Sequence, residues 1–411
     1  KPMHHRFRAS LLATALLALP ALAPAAEAPF ASTYAPVGAG PVLITDATVL
    51  TGDGKRLENT DVLMRDGKIA AALAGGVTSL MILPGSANLI GGRGVVLKNV
   101  PAETMQAMKF PGAPHSVKMA CGENPKRVYG GRGQAPMTRM GNIAGYRAAF
   151  IEAQKYRAAW DKYEAASRSE GKRRKGNAEP GQPPARDLRM ETLAEVLRGE
   201  ITVQIHCYRA DEMALMMDLA KEFGYKIASF QHAVESYKIA DLLRENGICS
   251  AMWAYKLADR LAADGVCGAL WADWWGFKME AYDGIQENIA LVDRPANGCA
   301  VVHSDSSEGI QRLNQEAAKV MVRGERAGLK LPPEHAIRWL TANAAKAIGI
   351  ADQAGTLDEG KMADVVLWNG NPFSVYAKAE KVYVDGALLH DLNDPARRPV
   401  SDFMLGQEVS P

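Results

Sequence analysis

Three residues that can bind a metal ion each stand at the end of an apolar, strand-like run of the sequence. His206 ends the run ITVQIH, His232 ends KIASFQH and Asp305 ends CAVVHSD. In a barrel of parallel strands the carboxyl ends share one mouth, so these three side chains are able to meet there. Imidazole nitrogens and a carboxylate oxygen are ligands that hold zinc and leave positions open for water and substrate. The alternative is that each histidine is a hydrogen-bonded core residue, and the spacing alone does not separate the two.

The strands that must position these residues belong to a series of eight apolar runs. The runs alternate with helical patterns and cover residues 77–83, 94–100, 115–121, 201–207, 226–232, 248–253, 266–271 and 299–305. This alternation favours parallel strands joined by helices, and eight strands suit a (β/α)8 TIM-like barrel of the α/β class over residues 71–350. Residues 141–166 are predicted to form a long amphipathic helix, and the polar residues 167–187 an exposed loop.

The two ends of the chain have a different pattern. Residues 41–69 and 355–391 alternate β-branched residues with turn signals such as Gly52-Asp53-Gly54, which is typical of short hairpin strands. We therefore expect both termini, residues 34–70 and 351–395, to build one small β-sandwich domain beside the barrel.

Charge and the amino-terminal segment restrict the partners. Lys and Arg number 48 against 46 Asp and Glu, so the chain has no overall field that would gather nucleic acid or anionic lipid. Residues 1–25 combine basic residues, an apolar run and a small-residue end, which predicts a signal peptide cleaved after Ala25. The apolar run is short for a membrane span, so we expect a periplasmic or secreted protein without a stable membrane anchor. A retained anchor or a buried helix is the alternative.

Five cysteines form no Cys-x-x-Cys pair; they are Cys121, Cys207, Cys249, Cys267 and Cys299. Each lies within or at the end of a strand-like run. In so large a protein this pattern favours buried thiols over a disulfide framework, and leaves a single disulfide open.

An internal repeat precedes the last strand-like run. Residues 237–254 and 255–272 are consecutive copies in which ten of eighteen paired positions are identical. The repeat indicates a tandem duplication of one helix-strand unit.

Several segments carry a family resemblance. They are VLITDATVLTGDG with VLMRDGKI, then LAGGVTSLMILPGSANLIGGRG, the strand ends IHCYRADE, FQHAVE and HSDS, and finally NAAKAIGI with GTLDEGKMADVVLWNGNP. Together they resemble the amidohydrolase superfamily, and above all its imidazolonepropionase-like members, over roughly residues 41–395. The resemblance implies a (β/α)8 barrel accompanied by a β-sandwich made from both termini.

The resemblance also implies a ligand set. His206 and His232 match the metal ligands of the fifth and sixth strands, and Asp305 matches that of the eighth. Lys118 matches the bridging lysine that carbon dioxide carboxylates, with Glu123 as the alternative. The other interpretation of Lys118 is a lysine salt-bridged inside the barrel.

One departure from the family weakens this site. After RDGKIAA (65–71) the sequence passes straight into LAGGVTSL, so the first barrel strand and its His-x-His ligands are missing. No other His-x-His exists, since the histidines are His4, His5, His115, His206, His232, His303, His335 and His390. The barrel is therefore expected to be incomplete or rearranged, although the duplicated unit returns the strand count to eight and is one hypothesis for how it closes.

The resemblance implies hydrolysis of an amide or cyclic amide C–N bond by water that a divalent metal, most simply zinc, activates. Asp305 and His232 would be the catalytic residues, and Tyr208 and Arg209 would contact a small-molecule or peptide-like substrate. An ion pair between Arg209 and Asp211 is the alternative. At most one well-held ion is expected, and a catalytically impaired or non-catalytic binding protein is the competing hypothesis. The oligomeric state is left open.

The aromatic residues Trp271, Trp274, Trp275 and Phe277 follow a strand-like run. They either line a pocket for an apolar substrate or pack between the strand end and the next helix.

Overall fold

The structure, a computed structural model, describes residues 31–36, 42–64, 74–170, 182–235, 267–274, 276–294, 298–306 and 309–395. The predicted signal peptide lies outside these residues. So does most of the duplication, of which only residues 267–272 are described. Among the described residues, no helix combines the length and the apolar character that crossing a membrane requires.

A seven-stranded sheet lies at the centre, and its strands are neighbours in chain order from β3 to β9. These strands are β3 (Ser79–Ile82), β4 (Ile90–Lys98), β5 (His115–Ala120), β6 (Ile201–His206), β7 (Ile227–Gln231), β8 (Cys267–Leu270) and β9 (Ala300–Val302). From β5 to β9 each strand pairs parallel with the next. The sheet curls into a half-barrel, which confirms the barrel-like α/β prediction in its incomplete form.

The expectation of parallel strands throughout is wrong for β4. This strand starts at Ile90 and pairs antiparallel with both β3 and β5. Only residues 83–89 connect β3 to β4. A parallel crossover needs a dozen or more residues, so a connection of this length permits only a hairpin. The predicted strand at 248–253 lies outside the described residues.

The described helices follow the strands. They are α1 (Met105–Met108), α2 (Glu123–Gly130), α3 (Arg139–Glu170), α4 (Leu188–Arg198), α5 (Ala210–Phe223), α6 (Asn288–Asp293), α7 (Leu313–Arg326), α8 (Pro333–Ala336) and α9 (Ala342–Ile348). Short 3-10 turns lie at Met279–Ala281, Gly309–Arg312 and Ile337–Trp339. The long predicted helix is confirmed as α3. Capping residues mark both ends of α4. The Asp187 side chain accepts hydrogen bonds from two backbone N–H groups at its start, and Gly199 adopts a φ of 77° at its end.

The main core fills the space between the sheet and helices α3 to α5. Val203 and Ile205 of β6 are fully buried against Phe150 of α3 and Met213 and Met216 of α5. Alternate residues of β6 therefore face this core, which leaves Gln204 and His206 on the opposite, inner face of the half-barrel.

Both termini contribute small antiparallel sheets, as predicted. β1 (Val42–Leu50) pairs with β2 (Arg56–Met64), and a second sheet contains β10 (Val365–Trp368), β11 (Ala379–Val384) and β12 (Ala387–Asp391). Val42, Ile44 and Val62 pack against Val365 and Tyr383, so side chains from the two ends share one apolar cluster.

Lys98 connects the central sheet to the carboxyl-terminal one. Its fully buried Nζ lies 2.9 Å from Asp364 Oδ1 and 3.0 Å from Asp385 Oδ1. Burying a charge is costly unless it is paired, and here two carboxylates pair it.

The prediction of buried free thiols is wrong for four of the cysteines. Disulfides join Cys121 to Cys207 and Cys267 to Cys299, whose Cα atoms are 5.2 and 4.7 Å apart. In both cases the cysteines belong to neighbouring parallel strands or to the residues flanking them. Their sequence separations of 86 and 32 residues hide this proximity. Cys249 lies outside the described residues.

Candidate active site

Backbone pairing continues past the strand ends and brings the predicted residues to one mouth. Cys121 N–H donates to the carbonyl of His206, and His232 N–H donates to that of Ala269, at 2.9 and 3.2 Å. His303 N–H likewise donates to Leu270 at 3.2 Å. The parallel ladder therefore places His206, His232 and His303 at the carboxyl ends of β6, β7 and β9.

His206 and His232 lie side by side, with ring centroids 5.0 Å apart. Both side chains are buried. His206 also meets the ring of Tyr208 edge to face at 4.5 Å. Its Nε2 lies 3.1 Å from Asn124 Nδ2, while its Nδ1 has no hydrogen-bond partner among the described residues.

His232 stands between three other side chains. Its Nδ1 lies 3.2 Å from Nε2 of His303, and its Nε2 lies 3.7 Å from Oδ2 of Asp305. Its ring stacks on Trp271 with centroids 4.1 Å apart. The backbone of His232 has a φ of 60°, which costs about 1–2 kcal/mol in a residue with a Cβ. Such strained residues cluster at functional sites, where the surrounding structure holds them in place.

His303 is a member of the site that the sequence analysis did not select. It stands two residues before Asp305 in CAVVHSD, so its position at a strand end was visible. Because Asp305 already accounted for that strand, the histidine carried no separate signal.

Burial keeps these imidazoles neutral at pH 7. Burial, together with the nearby charges of Lys118 and Lys278, lowers the pKa of His206 to about 3. Burial also lowers the pKa of His303 to about 3, and that of His232 falls well below its usual value. A neutral imidazole offers the lone pair that a metal ion or a hydrogen-bond donor requires.

Lys118 points to the inner face of the half-barrel, and its Nζ donates to the carbonyl of Pro84 at 3.1 Å. Burial lowers the pKa of this lysine, and the charge of Asp305 opposes that shift. Glu123 begins α2 and pairs instead with Lys278, whose Nζ lies 2.7 Å from its Oε1.

A large cavity occupies the inside of the half-barrel. Its volume is about 1480 Å³, and its wall includes residues of the two edge strands β3 and β9. Lys118, His232, His303 and Asp305 also line it. The site therefore opens onto a space large enough for a small-molecule or peptide-like ligand.

Asp305, Tyr208 and Arg209 differ in their exposure. The Asp305 side chain is 58% exposed and the Arg209 side chain 42% exposed, whereas Tyr208 is buried. Both ends of the Arg209 guanidinium contact Asp211, at 2.9 and 3.0 Å, which is the ion pair named above as its alternative role. Lys278 Nζ lies 4.2 Å above the ring of Tyr208.

The described aromatic residues between Trp271 and Phe277 differ in their burial. Trp271 is buried against His232, whereas Trp274 and Phe277 are 44% and 52% exposed. Trp271 and Phe277 still touch, with ring centroids 5.5 Å apart. These residues thus provide packing at their buried end and an apolar rim at their exposed end, while Trp275 lies outside the described residues.

The donor atoms suit a divalent cation in kind, since two neutral imidazoles and a carboxylate lie at the same mouth. Their arrangement is incomplete. The His, Cys, Asp and Glu side chains of the described ranges form no group of three placed to hold a metal ion. Nδ1 of His206 has no hydrogen-bond partner among the described residues, and His232 contacts both His303 and Asp305, so these side chains supply only part of the ligand set of a closed site.

The chain is similar to known amidohydrolases. The model of the amidohydrolase family matches residues 117–390. The amidohydrolase tasK of Hapsidospora irregularis is 30% identical over 84% of this chain, and the chain spans about a third (34%) of that relative. An imidazolonepropionase of Shewanella oneidensis is 58% identical over 40 residues, which are 10% of each chain.

A solved amidohydrolase structure is similar to this chain in both fold and sequence. An amidohydrolase from Thermotoga maritima MSB8 superposes with a TM-score of 0.63 at 32% identity, covering 78% of this chain and 73% of that one. The matched family region contains His206 at the end of β6, and His232 and Asp305 just after β7 and β9. Because the family model matches more than half of the sequence, the chain belongs to the amidohydrolase family.

Proposed function

We propose that this chain hydrolyses the C–N bond of an amide or cyclic amide, with one divalent cation, most simply zinc, held by His206, His232 and Asp305. One observation carries the proposal. Two neutral imidazoles lie 5.0 Å apart at the carboxyl ends of neighbouring parallel strands, and Asp305 Oδ2 lies 3.7 Å from His232 Nε2. Lys118 stands on the same cavity wall as a further candidate donor.

In this proposal the cation supplies a lowered pKa for bound water, toward about 7. The residues of the chain supply the proton transfers and the orientation. Asp305 accepts the proton of the attacking water and delivers it to the leaving nitrogen. His232 helps to polarise the substrate carbonyl. The water oxygen bonds to the carbonyl carbon, the C–N bond breaks, and a carboxylate and an amine leave.

Substrate contacts come from the loop after β6. Tyr208 packs beside His206, and Arg209 is exposed enough to exchange Asp211 for a substrate carboxylate. The aromatic rim of Trp274 and Phe277 would favour a substrate with an apolar group.

The test is zinc binding and hydrolysis by the purified full chain. Zinc content and calorimetric titration with zinc chloride should give about one ion per chain, and His206→Ala should abolish it. His115→Ala is the matched control, because His115 begins β5 at the end away from the mouth. Carboxylate release from a panel of N-acyl amino acids, dipeptides and cyclic imides should depend on added zinc. Zinc binding that survives His206→Ala contradicts the assignment of the ligand.

A binding protein without catalysis is the second candidate. It is favoured by the absence, among the described residues, of a group of three side chains placed to hold a metal ion. A cooperative thermal transition together with no zinc binding and no carboxylate release would support it over the hydrolase.

We also propose that the protein is exported to the periplasm or secreted. The two disulfides support this, because disulfides persist in oxidising compartments and are rare in the cytosol. Fractionation of cells that express the full chain tests it. Recovery of the protein only from the cytosol, with its cysteines reduced, contradicts it.

A further inference from the structure

Asn124 links Lys278 to the ring of His206. Its Oδ1 lies 3.2 Å from Lys278 Nζ, and its Nδ2 lies 3.1 Å from His206 Nε2. An ammonium group only donates hydrogen bonds, so the atom of Asn124 that faces Lys278 must be the oxygen. The atom that faces His206 is then the amide nitrogen, which also only donates.

This contact determines the tautomer of His206. Because Asn124 Nδ2 donates, Nε2 of the ring has to accept, and the ring proton therefore resides on Nδ1. That Nδ1 is buried and meets no hydrogen-bond partner among the described residues. The proton gains nothing from its own surroundings there, so the contact at Nε2 is what holds it on Nδ1.

The surroundings of Asn124 fix its orientation. It is the second residue of α2. This helix begins directly after Gly122, which follows the disulfide-bonded Cys121. Lys278 is itself held by Glu123 at 2.7 Å and lies 4.2 Å above the ring of Tyr208. The amide of Asn124 therefore contacts the ammonium group of Lys278 on one side and the buried ring of His206 on the other.

We propose that Asn124, oriented by Lys278, is a positioning residue that keeps His206 in the Nδ1-protonated tautomer and occupies its Nε2 lone pair. The tautomer is independent of the proposed function. Its consequence for a metal rests on that function: a cation can take Nε2 of His206 only after Asn124 has moved away.

The tautomer is measured by ¹⁵N NMR of the metal-free full chain labelled at histidine, with His206 assigned from the His206→Gln spectrum. We expect a protonated Nδ1 and an unprotonated Nε2 in the unmodified protein. Asn124→Asp has nearly the same shape but places an acceptor at the ring, so it should transfer the proton to Nε2. The matched control is Asn88→Asp, because Oδ1 of Asn88 accepts from the hydroxyl of Tyr129 and an aspartate oxygen can do the same.

Two results overturn the tautomer assignment. One is a protonated Nε2 in the unmodified protein, and the other is an unchanged His206 signal in folded Asn124→Asp. If Asn124→Asp does not fold, Lys278→Met replaces it, since losing the donor to Oδ1 frees the amide to turn. A mixture of the two tautomers is then expected, and an unchanged ring overturns the role of Lys278.

Zinc affinity tests the occupied lone pair separately. Asn124→Ala removes one net hydrogen bond that competes with the cation, so zinc should bind about fivefold more tightly by calorimetry. Weaker binding overturns the claim that Asn124 competes for Nε2. If zinc binds neither protein, the metal site of the proposed function fails, whereas the NMR result on the tautomer stands.

Discussion

Cys121 and Cys207 are joined by a disulfide across the ends of two neighbouring parallel strands, and Cys207 directly follows His206. The same bond ties the residues directly before helix α2, which carries Asn124, to the strand that carries His206. A covalent link at this place restricts how far the mouth of the half-barrel can open. The Cys121–Cys207 disulfide is therefore expected to contribute both to the stability of the fold and to the position of His206.

Removing this disulfide should destabilise the protein. The double variant Cys121→Ser/Cys207→Ser should lose about 2–4 kcal/mol of unfolding free energy, because a link across 86 residues restricts the unfolded chain strongly. Urea denaturation measures the loss. Cys267→Ser/Cys299→Ser, which opens a link across only 32 residues, is the control and should lose less. Equal stability of the first variant and the unmodified protein would show that the bond does not form.

Replacing Lys98 should cost more than replacing an exposed lysine. Lys98→Met leaves Asp364 and Asp385 buried without their cation, which should lower the unfolding free energy by about 3–5 kcal/mol. Lys319→Met is the matched control, because the pair of Lys319 with Asp273 is about half exposed and should contribute less than about 1 kcal/mol. Denaturant titration compares them, and similar losses would contradict the buried network.

Acid should destabilise the metal-free protein through its buried histidines. The pKa values of His206 and His303 are lowered to about 3 in the folded chain, against 6.5 when exposed. Below pH 6.5 the unfolded chain binds more protons, so the stabilisation is complete above that pH and is lost as the pH falls toward 3. Each histidine should contribute a slope of about 1.4 kcal/mol per pH unit. Urea titrations between pH 7.5 and 5 in the presence of EDTA measure this slope. His206→Gln removes one titrating group, so it should reduce the slope by about 1.4 kcal/mol per pH unit. An unchanged slope would mean that His206 is protonated in the fold.

Replacing Arg209 should affect substrate binding more than stability. Arg209→Met breaks an exposed ion pair with Asp211, which should lower the unfolding free energy by less than about 1 kcal/mol. If Arg209 exchanges Asp211 for a substrate carboxylate, KM for acidic substrates should rise about tenfold with kcat unchanged, because the contact is equal in ground and transition states. Arg198→Met, in the exposed pair with Glu200, is the control. Identical KM values in the two variants would exclude Arg209 from the substrate site.

Many of the strands could be predicted because short segments of the sequence determine them. The runs that end in His206 and His232 are strands in the structure, and the hairpin patterns at both termini form sheets. Alternating apolar residues specify a buried strand whatever its neighbours are, so single segments carry this information. The antiparallel direction of β4 relative to β3 also follows from a local feature, the connection of only seven residues between them. The pattern of apolar residues alone does not include the length of this connection.

The sequence by itself determined the family and the strands that carry His206, His232 and Asp305, because strand patterns and motifs are properties of short segments. Only the tertiary structure decided which cysteines pair, that His303 contacts His232, and that Asn124 faces His206. Lys98 likewise finds Asp364 and Asp385 more than 260 residues away along the chain. These contacts arise from which strands become neighbours when the sheet curls. That choice is made by the packing of the whole chain, and no single segment contains it.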